Sequence, residues 1–400
     1  MLHALLVYFF VFGTASRTFT HLHETTNNEI REQSRWQRRT EKRRQRTEDL
    51  LNSIEIGTSM SLFPLQPHQA LNDVKIPVLA IPQTSSSINW DEIDWIFDPI
   101  RGGKLRQGSQ RGLRKRAQVE AIHYIVSELI NVQLRNKTNL TNNYNVTIID
   151  GGCGAGNLAV SLAGLPYNDN VNVKVLAVDV NEHALMRLSN RIKDVLSPEQ
   201  LETCHADLAN YDCILSKIPP GHSTIIVSLH ACGAASDMAM NLAIRSNSPF
   251  VICPCCTAKS LTKRLPDTEK KTMFDLNASF QRSGASADIE YPRSKWLRRK
   301  MSGQNNLQIM SSDEKYSLLA KVADAGLGTQ TPSQIRQQQA RAKKIVELDR
   351  LSAASEEHGY DVRLMRIRDH DPLVYSKGDL LIGGKDIAEM LVLLPEEEEK

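Results

Sequence analysis

The residues best suited to chemistry lie between 148 and 158, where the chain reads IIDGGCGAGNL. A mostly apolar run, 146–149, ends in Asp150 and passes into Gly151, Gly152, Gly154 and Gly156. An apolar helical pattern then begins at Asn157 and Leu158. Glycine permits positive φ and lets a ligand approach backbone that a Cβ would shield, while the N–H groups opening a helix attract polar or anionic groups. Strand, glycine turn and helix in that order make a seat for a nucleotide-like cofactor. A bland tight turn also uses glycine, so the sequel matters. A second apolar run, 173–178, ends in Asp179 and is followed by a helical pattern over 181–196. A carboxylate in that position can accept both hydroxyls of a ribose.

NAD or FAD could be held by the same arrangement. Two features favour S-adenosylmethionine instead: Asp150 immediately before the glycines, and a third polar cluster, 206–208, after the strand 201–205. Asp207 in that cluster is positioned to accept from an adenine amino group, or else to cap a helix. Further on, an apolar strand at 224–228 runs into Leu229-His230-Ala231-Cys232-Gly233, and a strand at 250–253 runs into Pro254-Cys255-Cys256. Ligands of open α/β sheets sit outside the carboxyl ends of the strands, so these two ends should be neighbours facing the reacting methyl. His230 is a candidate base for an acceptor that must lose a proton; otherwise it bonds the backbone and shapes the pocket. Cys255 and Cys256 read as pocket lining, as a Pro-Cys nucleophile toward a pyrimidine, or as part of a zinc site with Cys232 and Cys253. Adjacent cysteines rarely both reach one ion, so no metal is expected.

Several elements must position these groups. A helix over 113–129 carries Val119, Ile122, Ile125, Val126 and Leu129 on one face, and its start, 114–120, brings positive charge beside the cofactor region. It reads either as a solvated helix on the sheet or as a lid over the pocket. The cluster WDEIDWIF at 90–97 and a loop through Asp98-Pro99 and Arg101-Gly102-Gly103 precede it. Residues 267–300 are polar and carry Tyr291-Pro292-Arg293-Ser294, an insertion over the pocket. Beyond lie a helix at 315–325 and another with Thr331 as cap and Pro332 in its first turn, stopped by Gly359. Strands at 360–367 and 379–382 follow.

The 400 residues, 41% hydrophobic and 24% charged, suit a soluble protein with a sizeable core. The net charge of +3 is too small to argue for nucleic acid by itself. Residues 31–46, with Arg35, Arg38, Arg39, Arg43, Arg44 and Arg46 around Trp36, read as a solvated linker or as a contact to an RNA backbone. All seven cysteines fall between 153 and 256, an odd and irregular set that suggests a reducing compartment. An apolar stretch at 4–12 before Gly13-Thr14-Ala15-Ser16 is too short to span a membrane and reads as a cleaved presequence. It implies an organellar address, with the cytoplasm as alternative. The expected domains are a presequence at 1–18, a basic, proline-containing linker at 19–88, a cover and lid helix at 89–140, a catalytic domain at 141–390 with an insertion at about 260–330, and a solvated acidic tail at 391–400. Nothing in the sequence argues for stable membrane insertion or for an oligomer.

The stretch 227–258, VSLHACGAASDMAMNLAIRSNSPFVICPCCTA, resembles the methyltransferase domain of the glutathione S-transferase C-terminal domain-containing protein family. That family is similar, more distantly, to tRNA 2'-O-methyltransferases. The likeness extends to RGGKL, LRKRAQVEAI, YPRS, VELDRLSAASEEHGYDVRLMRI and LLIGG, thus over about 90–385. It implies a Rossmann-like class I methyltransferase: an α/β fold with a mostly parallel seven-stranded sheet and helices on both faces. It also implies Asp150, Gly151, Gly152, Gly154 and Gly156 around the methionine moiety of S-adenosylmethionine, Asp179 on its ribose and Asp207 near its adenine. The acceptor is expected to be RNA; a protein acceptor, or a scaffold that binds the cofactor without turnover, are the alternatives.

Overall fold

The computed structural model describes residues 37–38, 41–42, 44–55, 76–81, 88–136, 144–231, 233–256, 289–302, 310–324, 332–368 and 378–397. The presequence, Trp36, Cys232, Thr331 and most of the expected insertion lie outside the described residues. The chain divides into units 1–50 and 51–400. In the first, Arg44 and Arg46 lie on helix, and Arg44 pairs with Glu41 at 2.7 Å. The architecture below belongs to the second.

Its elements in order are β1 (Val78–Leu79), α1 (Gln110–Arg135), β2 (Tyr144–Gly151), α2 (Asn157–Gly164), β3 (Val171–Asp179), α3 (Glu182–Ile192), β4 (Leu201–His205), α4 (Tyr211–Leu215), β5 (Ser223–Leu229), α5 (Ala234–Arg245), β6 (Phe250–Cys253), α6 (Lys295–Ser302), α7 (Ser312–Ala323), α8 (Ser333–His358), β7 (Asp361–Ile367), β8 (Asp379–Gly384) and α9 (Ala388–Leu393). The central strands read as continuous apolar runs because both faces are covered. Val146, Ile148, Val175, Ala177, Ile225 and Val227 share a core with Ile122 and Val126 of α1, Val160 of α2 and Leu188 of α3. The alternate residues Ile149, Leu176, Ile226 and Ile252 point the other way and are equally buried. That face is covered by α5, packed on β5 and β6, and by α8, packed on β7 and β8.

The sheet order is β1-β7-β8-β6-β5-β2-β3-β4. β8 runs antiparallel to β6 and β7, while the other pairs are parallel. Chain order reverses between β2 and β5, so the connections leaving these neighbours diverge and open a crevice at their carboxyl ends. The glycine loop and the His230 turn therefore meet at one place.

Eight strands replace the expected seven. The extra one, β1, comes from the supposed linker: two residues after Pro77 pair with Arg366 and Ile367 of β7, too short a run to show in a sequence pattern. That linker is structured earlier too, since residues 51–55 are helical, Leu51 and Ile54 are buried, and Arg341 donates from Nε to Glu55 at 3.1 Å. The supposed solvated tail is also corrected. Leu391 and Leu394 are buried, and Pro395 O accepts from Ala80 N at 2.9 Å. Glu397 N donates to Val78 O at 3.0 Å, and Glu396 and Glu397 pair with Arg363 and Arg368. Backbone pairing to an otherwise open sheet edge outweighs the solvation of a few glutamates. Within the expected polar insertion, α6 forms because Leu297 and Met301, four residues apart, bury on one side. Pro332 stands at the N-cap position of α8 rather than inside its first turn, and Gly359, at φ +66°, ends the helix.

Candidate active site

The glycine loop is built from the backbone outward. Gly152 N and Cys153 N both donate to Val178 O, at 2.9 and 3.0 Å, which lashes the loop to the end of β3. Gly154 N donates to Asp179 Oδ2 at 2.7 Å, and Asn181 N donates to Asp179 Oδ1 at 2.7 Å. Gly152, Gly154 and Gly156 have φ of +73°, +57° and +74°, a region that side chains with a Cβ resist. Gly156 also needs its missing Cβ for space, because a methyl there would come within 2.3 Å of Leu188. At Gly154 a Cβ would meet nothing within 4 Å, so that face of the loop is open to a ligand. Gly151, the last residue of β2, accepts through its carbonyl from Ser228 Oγ at 2.7 Å and so ties β2 to β5.

Asp150 lies beside Ala177 of β3 and Val227 of β5, in the middle of the sheet. It is 1% exposed, and neither carboxylate oxygen has a hydrogen bond of good geometry. Burial pushes its pKa up to about 7, against the pull of the Lys115 ammonium and a weak donation from the Ala159 backbone N–H. Burial holds the ammonium of Lys115, near the start of α1, down to about 8, against the pull of Cys253, Asp150 and Cys255. The N-terminus of α1 is anchored by Asp98, fully buried, which accepts from Arg116 at 2.6 Å, from Arg101 at 2.7 Å and from Ile100 N at 2.8 Å. The cover is fixed to the helix after the glycine loop: Ser161 Oγ donates to Phe97 O at 2.6 Å, and Arg191 bridges Asn157 and Ile96 O.

Asp207 is half-buried; its Oδ1 accepts from Ala209 N at 3.0 Å and its carbonyl from Asn210 N at 2.8 Å. The helix cap here is Asn210, so Asp207 makes the turn before the cap. His230 ends β5 in a left-handed conformation, φ +69°, unusual for a residue with a Cβ. Its N–H donates to Cys253 O at 3.1 Å, and its carbonyl lies 3.7 Å from the Cys255 thiol. The two strand ends are therefore stitched together, as the topology required. Cys255 and Cys256 have their sulfurs 3.7 Å apart, and among the described residues no group of three or more His, Cys, Asp or Glu side chains could hold a metal ion. Cys253 is buried, which pushes its thiol up to about 12.

Behind the His230 turn is a buried ion cluster that the sequence did not mark as part of the site. Asp237, in the first turn of α5, accepts from Arg350 at 2.9 and 3.0 Å, from Arg293 at 2.9 Å and from the Tyr291 hydroxyl at 2.9 Å. Burial disfavours its charge, but the Arg350 and Arg293 guanidiniums outweigh that and hold its pKa low. Arg350 also donates to Gly233 O at 3.3 Å, next to the turn. Asp349 accepts from Ser294 N at 2.8 Å and Arg293 N at 2.9 Å. The only early signal was that YPRS and VELDRL both belonged to the resembling stretches.

S-adenosylmethionine fits this donor set. Asp150 is a buried carboxylate short of strong donors, Gly154 leaves room for a close approach, and Asp179 retains acceptor capacity beyond its two backbone donors.

Residues 114–263 match a family model described as a methyltransferase domain. The chain is 24% identical over 303 residues to the glutathione S-transferase C-terminal domain-containing protein of Bos taurus, covering 76% of this chain and 38% of that protein. The homolog from Drosophila melanogaster is 25% identical over 297 residues, covering 74% and 40%. The chain thus spans well under half the length of these relatives. Among solved structures, an S-adenosylmethionine-dependent methyltransferase from Clostridium acetobutylicum superposes with a TM-score of 0.23 at 13% identity, over 40% of this chain and 55% of that one. The CurJ carbon methyltransferase does so with 0.33 at 11%, over 74% and 61%. Glycine loop, strand order and family match agree: residues 114–263 of this chain resemble a methyltransferase domain, and the chain is similar over three quarters of its length to the glutathione S-transferase C-terminal domain-containing proteins.

Proposed function

We propose that this chain is an S-adenosylmethionine-dependent methyltransferase acting on RNA of a tRNA-like kind. The observation that carries the substrate class is a run of cations that forms a basic rim around the start of α1. Arg101, Lys104, Arg106, Arg111, Arg114, Lys115 and Arg116 fall within 16 residues that contain no carboxylate. Arg101 and Arg116 are engaged by Asp98, while Lys104, Arg106 and Arg111 are exposed beside the start of α1. Such a rim suits a polyanion better than a peptide side chain. The Arg-rich segment at 31–46 supports the same reading. The presequence supports delivery to an organelle, which a tagged chain lacking residues 1–18 tests by a change of location.

The bound cofactor supplies an electrophilic methyl on a sulfonium, so the main task of the protein is alignment. Asp179 takes ribose hydroxyls while keeping the glycine loop in place, Asp207 faces the adenine, and Asp150 meets the methionine end. His230 accepts the proton of the acceptor and Cys255 lines the acceptor side.

Calorimetry of S-adenosylmethionine and S-adenosylhomocysteine on the full chain tests the cofactor half. Asp179→Ala should weaken binding by roughly 1.5–3 kcal/mol, about ten- to a hundredfold. A wild-type chain that binds neither compound would end the proposal. Incubation with methyl-labelled cofactor and separated RNA and protein fractions tests the other half, label in protein alone ruling out an RNA acceptor.

A further inference from the structure

Cys255 and Cys256 follow the carboxyl end of β6 with their sulfurs 3.7 Å apart, both half-buried and both reduced. Small thiols also serve as plain lining, so what the pair is tied to matters. The Cys255 thiol lies 3.7 Å from His230 O, and Cys256 O accepts from Gly233 N at 3.2 Å, so the two neighbours hold both ends of the turn 230–233. The same turn is fixed from elsewhere by Ser236 Oγ, which donates to Ala231 O at 2.6 Å, and by Arg350, which donates to Gly233 O at 3.3 Å. His230 stands between these anchors at φ +69°, a conformation that its surroundings must enforce. Among the described residues no third His, Cys, Asp or Glu joins the pair as a metal ligand, so the chemistry open to it is that of the thiols themselves. A rival pair exists in Cys204, hydrogen-bonded to Cys213. Cys204 is buried, and burial pushes its thiol up, which starves the thiolate that oxidation needs. Cys253 is held back in the same way.

We propose that Cys255 and Cys256 are a peroxide-responsive dithiol that closes to a disulfide and, resting on the methyltransferase reading above, suspends methyl transfer by shifting the His230 turn. A thiolate of the pair attacks hydrogen peroxide, forming a sulfenic acid and releasing hydroxide. The neighbouring thiol then forms the sulfur–sulfur bond and expels the oxygen as water. In total two thiols are oxidised, one peroxide is reduced and two waters leave. A sulfur–sulfur bond is about 2 Å long, so closure draws in the backbone on which Gly233 N and His230 O rest. Neighbouring Cα atoms are about 3.8 Å apart, short of the roughly 4.4–6.8 Å that disulfides usually span, so the closed ring is strained and readily reduced again.

The full chain, treated with hydrogen peroxide, alkylated and digested, should give a peptide carrying Cys255 and Cys256 that has lost two hydrogens. That peptide should take no alkyl group until dithiothreitol is added. Cys256→Ser should instead hold Cys255 as a sulfenic acid, trapped by dimedone, and carry it on to sulfinic acid at higher peroxide. Cys213→Ser should respond as wild type does. Oxidised wild type should bind S-adenosylhomocysteine within twofold of the reduced chain and lose at least tenfold in methyl transfer, recovered with dithiothreitol. A pair that stays alkylatable under peroxide, a bond from either cysteine to Cys232 or Cys253, or a bond at Cys204 and Cys213 alone would overturn the proposal. Methyl transfer unchanged by a formed Cys255–Cys256 bond would overturn its regulatory half. A reduced chain that methylates no fraction would instead overturn the methyltransferase reading beneath it, which the mass of the peptide does not depend on.

Discussion

At the scale of single residues, Asp150 shows how a binding site costs stability. Its pKa is raised to about 7 by burial, whereas an unfolded aspartate titrates near 3.9. Between those values the folded chain holds more protons than the unfolded one, so its stability falls as pH rises from about 4 to about 7. Asp150→Asn removes the buried charge at nearly constant shape. It should stabilise the cofactor-free protein by about 1–4 kcal/mol at pH 8 and by little near pH 4, read as a gap in melting temperature that widens with pH. The same variant should lose affinity for S-adenosylmethionine. A gap independent of pH would mean that this carboxylate is compensated when folded. The contrast with Asp237 is instructive, since that carboxylate is as deeply buried yet surrounded by four donors and stays ionised.

At the scale of elements, the turn after β5 is braced by α5, α8 and the segment 291–294, which meet at Asp237. Asp237→Ala leaves Arg293 and Arg350 buried without a counter-charge and should cost about 3–5 kcal/mol, seen as a lower denaturant midpoint. Arg44→Ala, which breaks an exposed pair with Glu41, should cost about 0.5 kcal/mol or less. The difference measures how far this cluster, and not surface charge, holds the turn after β5. A second buried group, in which Lys343 donates to Glu347 at 2.5 Å and to Asp379 at 2.7 Å, ties α8 to β8 beside Cys253. Lys343 and Arg366 hold Asp379 down to about 2 despite burial. Its contribution is therefore present above pH 4 and is lost as pH falls toward 2.

For the whole molecule, charge distribution matters more than net charge. A net charge of +3 over 400 residues is nearly neutral, yet the rim from Arg101 to Arg116 is wholly cationic. Lys104→Ala and Arg106→Ala should each lower the slope of log affinity for single-stranded RNA against log salt by roughly 0.7. Calorimetry of the cofactor is the control and should be unchanged in both. An unaltered salt slope would place the RNA elsewhere. Among the described residues no helix is long and apolar enough to cross a membrane.

The sequence by itself determined the strand-loop-helix units and the polar residues at their ends. Apolar runs, glycines needing positive φ and terminal carboxylates are local facts, which is why β4 and β6 fall on their expected boundaries and Asp150, Asp179 and His230 lie at strand ends. Tertiary structure decided what depends on partners distant in the chain. β1 and residues 395–397 are strand-like only because each completes the edge of a neighbour, and Asp237 is ionised only because Arg350, more than a hundred residues away, reaches it. Lys115 could be read from the sequence as one cation among seven. The burial that lowers its pKa follows from the packing of α1 on β5 and β6, which no spacing along the chain encodes.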